Sequence, residues 1–276
     1  MTQIHQATAH EIIAAIDLAF EDQKESKARK YIGASGVGNP CDANLAFSLR
    51  GFPNTAPPPN LKRIFNLGHI IEDIVVADLK RLGKHVVVQE NDPLTCKQWE
   101  YKELGGHISC HTDGMIEING RSYILEIKSM NHNSFTKFQN KSMKISHHHY
   151  FCQVQMYMAL SKVPQTFFIA YNKDKSTYHA EIVEFDEIEW SYLKQRIINV
   201  LNGEATKCAT DHSDWRCKGC FKRDVCWHNA PVPVEASSCQ FGEPQQDGSW
   251  LCTNCGATEE CCDPERYARY EPKDRM

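Results

Sequence analysis

No apolar run in this 276-residue sequence approaches the length of a membrane span, which takes about 20 residues. The amino terminus, Met-Thr-Gln-Ile-His-Gln, lacks the charged-then-apolar pattern of an export signal. These absences predict a soluble, cytoplasmic protein. Nor is there an excess of positive charge. The balance of 31 Lys and Arg against 35 Asp and Glu leaves a net −4, which argues against a uniformly basic nucleic-acid binder. Acidic residues are also missing locally. From Ile127 to Lys173 there is no Asp or Glu, while Lys128, Lys137, Lys141, Lys144, Lys162 and Lys173 fall in that window with four histidines. Such a bias suits a passing phosphate backbone.

Cysteine, by contrast, is plentiful. Thirteen of them would suggest a disulfide scaffold in a short secreted chain, but this chain is long and spaces several as Cys-x-x-Cys, which is metal-binding usage. The length allows one sizeable core and a smaller appendage, and 41% hydrophobic with 24% charged residues is ordinary for a globular protein.

Residues 106 to 128 organise the rest. Asn119-Gly120 separates two β-prone runs, and Asn-Gly favours a two-residue hairpin turn because both central residues must take φ > 0. If Ile118 pairs with Arg121, counting outward brings Asp113 opposite Glu126. Opposed side chains share a face with Cβ atoms about 4.5–5.5 Å apart, and period-2 alternation adds Lys128 to that face. Leu125 and Ile127 then face the core. Two carboxylates held so close repel, and a shared proton or a bound cation relieves them. Asp113, Glu126 and Lys128 thus form a candidate Mg²⁺ site, the plain alternative being an ion-paired surface hairpin.

Asp113 followed by Glu126-Ile127-Lys128 resembles the core motif of the PD-(D/E)XK nucleases, with Thr112 where many members have Pro. Gln153 and Tyr157, one turn apart on a predicted helix over 150–160, resemble the Gln-x-x-x-Tyr motif of the RecB-like exonuclease branch, found in phages and CRISPR adaptation systems. The resemblance implies a restriction-endonuclease-like fold, a mixed central sheet flanked by helices. It implies that Glu72, in the Gly68-x-x-x-Glu72 stretch of a helix predicted over 61–83, joins Asp113, Glu126 and the Ile127 carbonyl in binding Mg²⁺ or Mn²⁺. Lys128 would orient the attacking water, and Gln153 and Tyr157 would hydrogen-bond the DNA strand.

Further elements are predicted on either side. An amphipathic helix over 7–29 carries Ile12, Ile13, Ile16, Leu18 and Phe20 and is expected to pack on the core. A helix over 42–50 follows Cys41, and Pro53 and Pro57 to Pro59 keep residues 51–60 in a loop. Val86–Gln89 reads as a strand and the segment from there to Leu104 as carrying a loop. Asn131–Ser146 reads as a polar, mobile, DNA-facing segment, and His147, His148 and His149 as mainly surface or phosphate-contacting residues. Strands over 166–171 and 178–185 precede a helix over 186–201, capped by Asp186 with Glu189 at the capping-box position.

Two cysteine sets remain. Cys217, Cys220 and Cys226 are compact enough to surround one centre. By resemblance to RecB-like exonucleases, Cys41 completes a [4Fe-4S] cluster with them, with Zn²⁺ the alternative metal for four thiolates and Cys208 the reserve ligand. Past a 230–238 linker, Cys239, Cys252, Cys255 and Cys261 or Cys262 suit Zn²⁺ in a 239–276 tail too small for its own core. The nuclease domain with its cluster is then 1–229. Taken together, the resemblance implies a DNA exonuclease of phage recombination, replication or DNA processing, acting in the host cytoplasm if phage-encoded, with a single-strand annealing protein as partner. A CRISPR-type spacer-processing nuclease with an integrase partner, or a non-catalytic metal-stabilised DNA-binding protein, are the alternatives.

Overall fold

A computed structural model describes residues 2–21, 28–260 and 265–275. Its elements run α1 (Thr2–Glu21), β1 (Ile32–Gly33), α2 (Ala34–Val37), α3 (Asp42–Leu49), α4 (Pro59–Lys80), β2 (Val86–Gln89), β3 (Glu100–Glu103), β4 (Ile108–His111), β5 (Gly114–Ile118) and β6 (Arg121–Met130). They continue as α5 (His132–Asn140), α6 (Met143–Ser146), α7 (His148–Ser161), β7 (Gln165–Asn172), β8 (Thr177–Glu184), α8 (Glu187–Leu201), α9 (Trp215–Lys218), α10 (Arg223–Trp227), β9 (Gly242–Pro244) and β10 (Trp250–Cys252).

The main sheet has the order β2-β5-β6-β7-β8, antiparallel except for the β6–β7 pair. Its hairpin is the predicted one. Asn119 and Gly120 take φ 50° and 79°, as a type I′ turn demands, and Ile118 pairs with Arg121 and Gly114 with Leu125. A one-residue slip would have turned Glu126 into the opposite layer. Instead Tyr123, Leu125 and Ile127 pack with Ile71, Val75 and Leu79 of α4, while Ile124 joins the larger core with Val154 and Met156 of α7. The sheet is therefore sandwiched between α4 and α7, the restriction-endonuclease-like arrangement.

Those two helices differ in kind. Helix α4 starts at Pro59, where the fixed φ of proline and its missing N–H are harmless, and buries one stripe. Helix α7 is buried all round from Phe151 to Ala159, as a helix in the centre of a domain must be.

Several expectations are corrected. Helix α1 is described only to Glu21, and its Ile12, Ile13, Ile16 and Leu18 are exposed. It reaches the body through α4 instead, where Arg63 pairs with Asp17 at 2.6 Å and Lys62 donates to the Phe20 carbonyl. The polar stretch 131–146 is not a loose segment. It forms α5 and α6, because Phe135, Phe138 and Met143 are buried and Asn131 caps α5 by accepting from the Ser134 N–H at 2.8 Å. Residues 100–103, within the stretch read as carrying a loop, pair with β4 in a second sheet, β1-β4-β3.

The tail packs on the body. Ala236, Cys239, Trp250, Cys252 and Tyr270 share the main core. Arg50, 3% exposed just after α3, donates to the carbonyls of Ser237, Cys239 and Gly242 at 3.1, 2.8 and 3.1 Å and stacks on Tyr270. Gly105, at φ +60°, lies so near Asp247 that a Cβ there would fall 2.0 Å from its carbonyl carbon.

Candidate active site

The β5–β6 register delivers Asp113 and Glu126 to one place. Asp113 Oδ2 accepts the Ile127 N–H at 2.7 Å, locking the carboxylate against the strand it faces. Glu126, 1% exposed, receives Gln153 Nε2 on its Oε1 at 2.8 Å and an ion pair from Lys128 on the same oxygen. Lys128 Nζ also donates to the Ile127 carbonyl at 3.2 Å and lies 5.6 Å from the centre of the Tyr150 ring. Glu72, half-buried on α4, is close enough to Asp113 and Lys128 to feel both charges. Asp113, Glu126, Ile127 and Lys128 are thus in contact, and Glu72 on α4 lies near enough to Asp113 and Lys128 to interact with their charges.

Electrostatics follow from this crowding. Burial, with Asp113 adding to it, pushes the Glu126 carboxyl up to about 8. Burial and then Asp113 likewise raise Glu72. Burial opposes the Lys128 charge, but Glu126 and Asp113 outweigh it, so the ammonium is held protonated. Glu126 Oε2 is buried with no hydrogen-bond partner. A buried carboxylate oxygen without a donor is costly, and oxygen ligands of this kind are what a hard divalent cation takes. The donor set therefore fits Mg²⁺ or Mn²⁺.

Gln153 and Tyr157 depart from the expectation that they face DNA. They are 7% and 3% exposed, and Gln153 Nε2 also lies 2.6 Å from the Tyr157 hydroxyl, which is itself next to Glu126. Because α7 is buried on all sides, its polar pair points at the nearest carboxylate rather than outward. Both contact Glu126 inside the fold. Tyr150 was overlooked by sequence reasoning. Its signal was its place three residues before Gln153, on the same stripe of α7. Gly68 has no packing reason to be glycine, since a Cβ there would meet only Ser129 Oγ, at 4.0 Å.

The first cysteine set also converges. Cys41, Cys208, Cys217, Cys220 and Cys226 line one small cavity, and Asn44 Nδ2 donates to Cys220 Sγ at 3.3 Å. Burial, then the neighbouring Cys41, pushes the Cys208 thiol up to about 12, and burial does the same for Cys226. In the tail, Cys252 is hydrogen-bonded to Cys255 with Cys239 nearby. Cys261 and Cys262 lie outside the described residues.

Among the described residues no helix is long and apolar enough to cross a membrane. No curated protein matches the sequence. Among solved structures, the chain is similar to the alkaline exonuclease LHK-Exo from Laribacter hongkongensis, seen in complex with dAMP, at 17% identity over 63% of this chain and 87% of that one, TM-score 0.46. It is also similar to SSO0001, at 14% identity over 80% and 96% with TM-score 0.44. A phage-related exonuclease from Haemophilus somnus 129PT gives 13% identity over 64% and 92% with TM-score 0.38. In sequence, residues 56–164 match the family of the YqaJ-like viral recombinase domain. That span contains Glu72, Asp113, Glu126, Lys128, Gln153 and Tyr157. Over residues 56–164 the chain is similar to the YqaJ-like viral recombinase domain, and that stretch holds the Asp113 and Glu126-Ile127-Lys128 pattern that resembles the PD-(D/E)XK nucleases.

Proposed function

We propose that the protein is a metal-dependent DNA exonuclease of a recombination pathway. The observation that carries this reading is the meeting of Glu72, Asp113 and Glu126 with Lys128 around a buried carboxylate oxygen that has no donor. When bound there, Mg²⁺ or Mn²⁺ would supply an activated water and neutralise charge at the scissile phosphate. The protein's own groups do the rest. Gln153 and Tyr157 hold Glu126 in place, and the Lys128 ammonium offsets the negative charge developing on the phosphate. Nearer the start of α4, a groove lined by Arg29, Tyr31, Lys62 and Phe65 combines cations with aromatic faces, which suits a nucleic-acid strand. Lys62 and Phe65 precede Glu72 on α4 by seven to ten residues, roughly 10–15 Å along the helix.

The test compares end-labelled linear DNA with closed circular DNA in Mg²⁺ or Mn²⁺. Degradation of the linear form alone, lost in Lys128→Ala, is expected. If purified protein cleaves neither form, the catalytic reading fails.

Acidity gives a second expectation. With its carboxyl at about 8 in the metal-free protein, Glu126 must lose a proton to take a cation. The apparent Mg²⁺ affinity should therefore climb with pH and level off above about 8, at most about tenfold per pH unit. Stability of the metal-free protein runs the other way. A carboxyl whose folded-state pKa is raised stabilises the fold below its unfolded value, and that contribution is lost as pH rises through about 8. Calorimetric titration and thermal melts across pH 5 to 9 check both signs, and a flat affinity would refute the assignment.

For the first cysteine set we propose a [4Fe-4S] cluster on Cys217, Cys220, Cys226 and Cys41, with Cys208 beside them. What supports it is the donor chemistry, five thiols on one cavity that also holds Lys222, whose pKa burial lowers to about 8. For the tail, zinc on Cys239, Cys252, Cys255 and Cys261 would draw on three neighbouring thiols.

A further inference from the structure

A second trio of ligand-type side chains stands apart from the nuclease site and both cysteine sets. His148 and Cys152 lie one turn apart at the start of α7, and Glu189 lies in the first turn of α8. His148 Nε2 is 3.3 Å from Glu189 Oε1, and Cys152 Sγ is 3.8 Å from that oxygen and 4.0 Å from that nitrogen. Among the described residues, this is the one group of three His, Cys, Asp or Glu whose ligand atoms all lie within 4.8 Å of one another. The cysteine sets are more widely spread.

Those separations carry a chemical meaning. Tetrahedral zinc, with bonds of about 2.0 Å to nitrogen and oxygen and about 2.3 Å to sulfur, sets its ligands about 3.3 Å (N to O) and about 3.5 Å (S to N or O) apart. The trio matches the first and exceeds the others by at most about 0.5 Å. A simple His–Glu ion pair would not require the sulfur to close the triangle.

The surroundings hold the three in place. The Asp186 carboxylate accepts the Glu189 N–H at 3.0 Å, fixing that turn of α8. Gly38 sits against α7 so closely that a Cβ would lie 2.7 Å from the His149 Cα and 3.1 Å from the Cys152 Cβ. Cys152 is buried and Glu189 13% exposed, whereas His148 is 53% exposed. Cys152 and Glu189 are thus held from the protein side, while the exposed His148 leaves the group open to solvent.

We infer that His148, Cys152 and Glu189 form a binding site for one zinc-like divalent cation, with water as fourth ligand, which staples α7 to α8. A thiolate, an imidazole and a carboxylate together select a borderline-soft metal over Mg²⁺. The staple would fix α7 one residue before Gln153, the side chain that holds Glu126.

Cobalt is the probe, since thiolate-to-Co²⁺ charge transfer reports a cysteine ligand. Full-length protein, dialysed against a mild chelator, is titrated with Co²⁺ alongside His148→Asn and Glu189→Gln. Circular dichroism verifies that both variants are folded, which the exposure of His148 favours. The wild type is expected to bind one equivalent more than either variant, with the matching charge-transfer absorption. Either variant binding as much Co²⁺ as the wild type overturns the site.

Discussion

Replacing Glu126 by Gln should lower DNA cleavage by at least ~10³-fold, about 4 kcal/mol of transition-state stabilisation, and should leave the metal-free protein no less heat-stable. The two halves of this expectation have one cause. Glu126 is buried, one oxygen shared by Gln153 and Lys128 and the other without a donor. Glutamine keeps the shape, removes a carboxyl whose ionisation burial disfavours, and offers an amide where the lone oxygen was. What it cannot do is bind a hard cation through two anionic oxygens. Cleavage assays on end-labelled DNA with parallel melting curves decide the matter. Activity within tenfold of wild type would remove Glu126 from the site, and a large drop in melting temperature would mean that the loss reflects misfolding.

Cys220→Ser should bring the second large effect, loss of bound iron and its brown colour together with a marked fall in stability. Cys220 faces Asn44 of α3 across the cysteine cavity, and Cys41 is the residue that opens α3. A centre held by these thiolates ties α3, near the start of the chain, to α9 and α10 near its end. The free energy of binding such a metal centre is folding free energy, and its loss frees a long loop in the unfolded chain, raising the entropy of that state. Iron analysis and denaturant unfolding of anaerobically purified protein measure both. Iron content equal to wild type would break the assignment of Cys220.

How legible the site was depends on the range of the contacts that build it. The Asp113–Glu126 register could be read from residues alone, because Asn119-Gly120 admits few turns and the pairing then counts itself outward. Glu72 could not, since its approach to Asp113 depends on how α4 lies across the sheet; only family resemblance pointed to it. Gln153 and Tyr157 were found as a pair one turn apart, but their direction depends on α7 being enclosed on every side. Residues 131–146 looked solvated by composition, yet three large side chains among them are buried. The stripe of α1 looked like a core face and is open. For His148 and Cys152 the helical spacing was visible, while Glu189, 37 residues beyond Cys152, is brought to them only by the packing of α8 on α7.

Helix α3 is eight residues long, yet Cys41 caps one end and Arg50 follows the other. Its front end belongs to the cysteine cavity and its back end to the tail's carbonyls. Shortening the gene product at the proline-rich 230–238 stretch, a natural place to trim for expression, would strip the guanidinium of its three acceptors and uncover the aromatic side chains packed there. The trimmed protein would carry a stranded cation at the foot of the helix that anchors the other cysteine set, so its iron content is the quantity to watch.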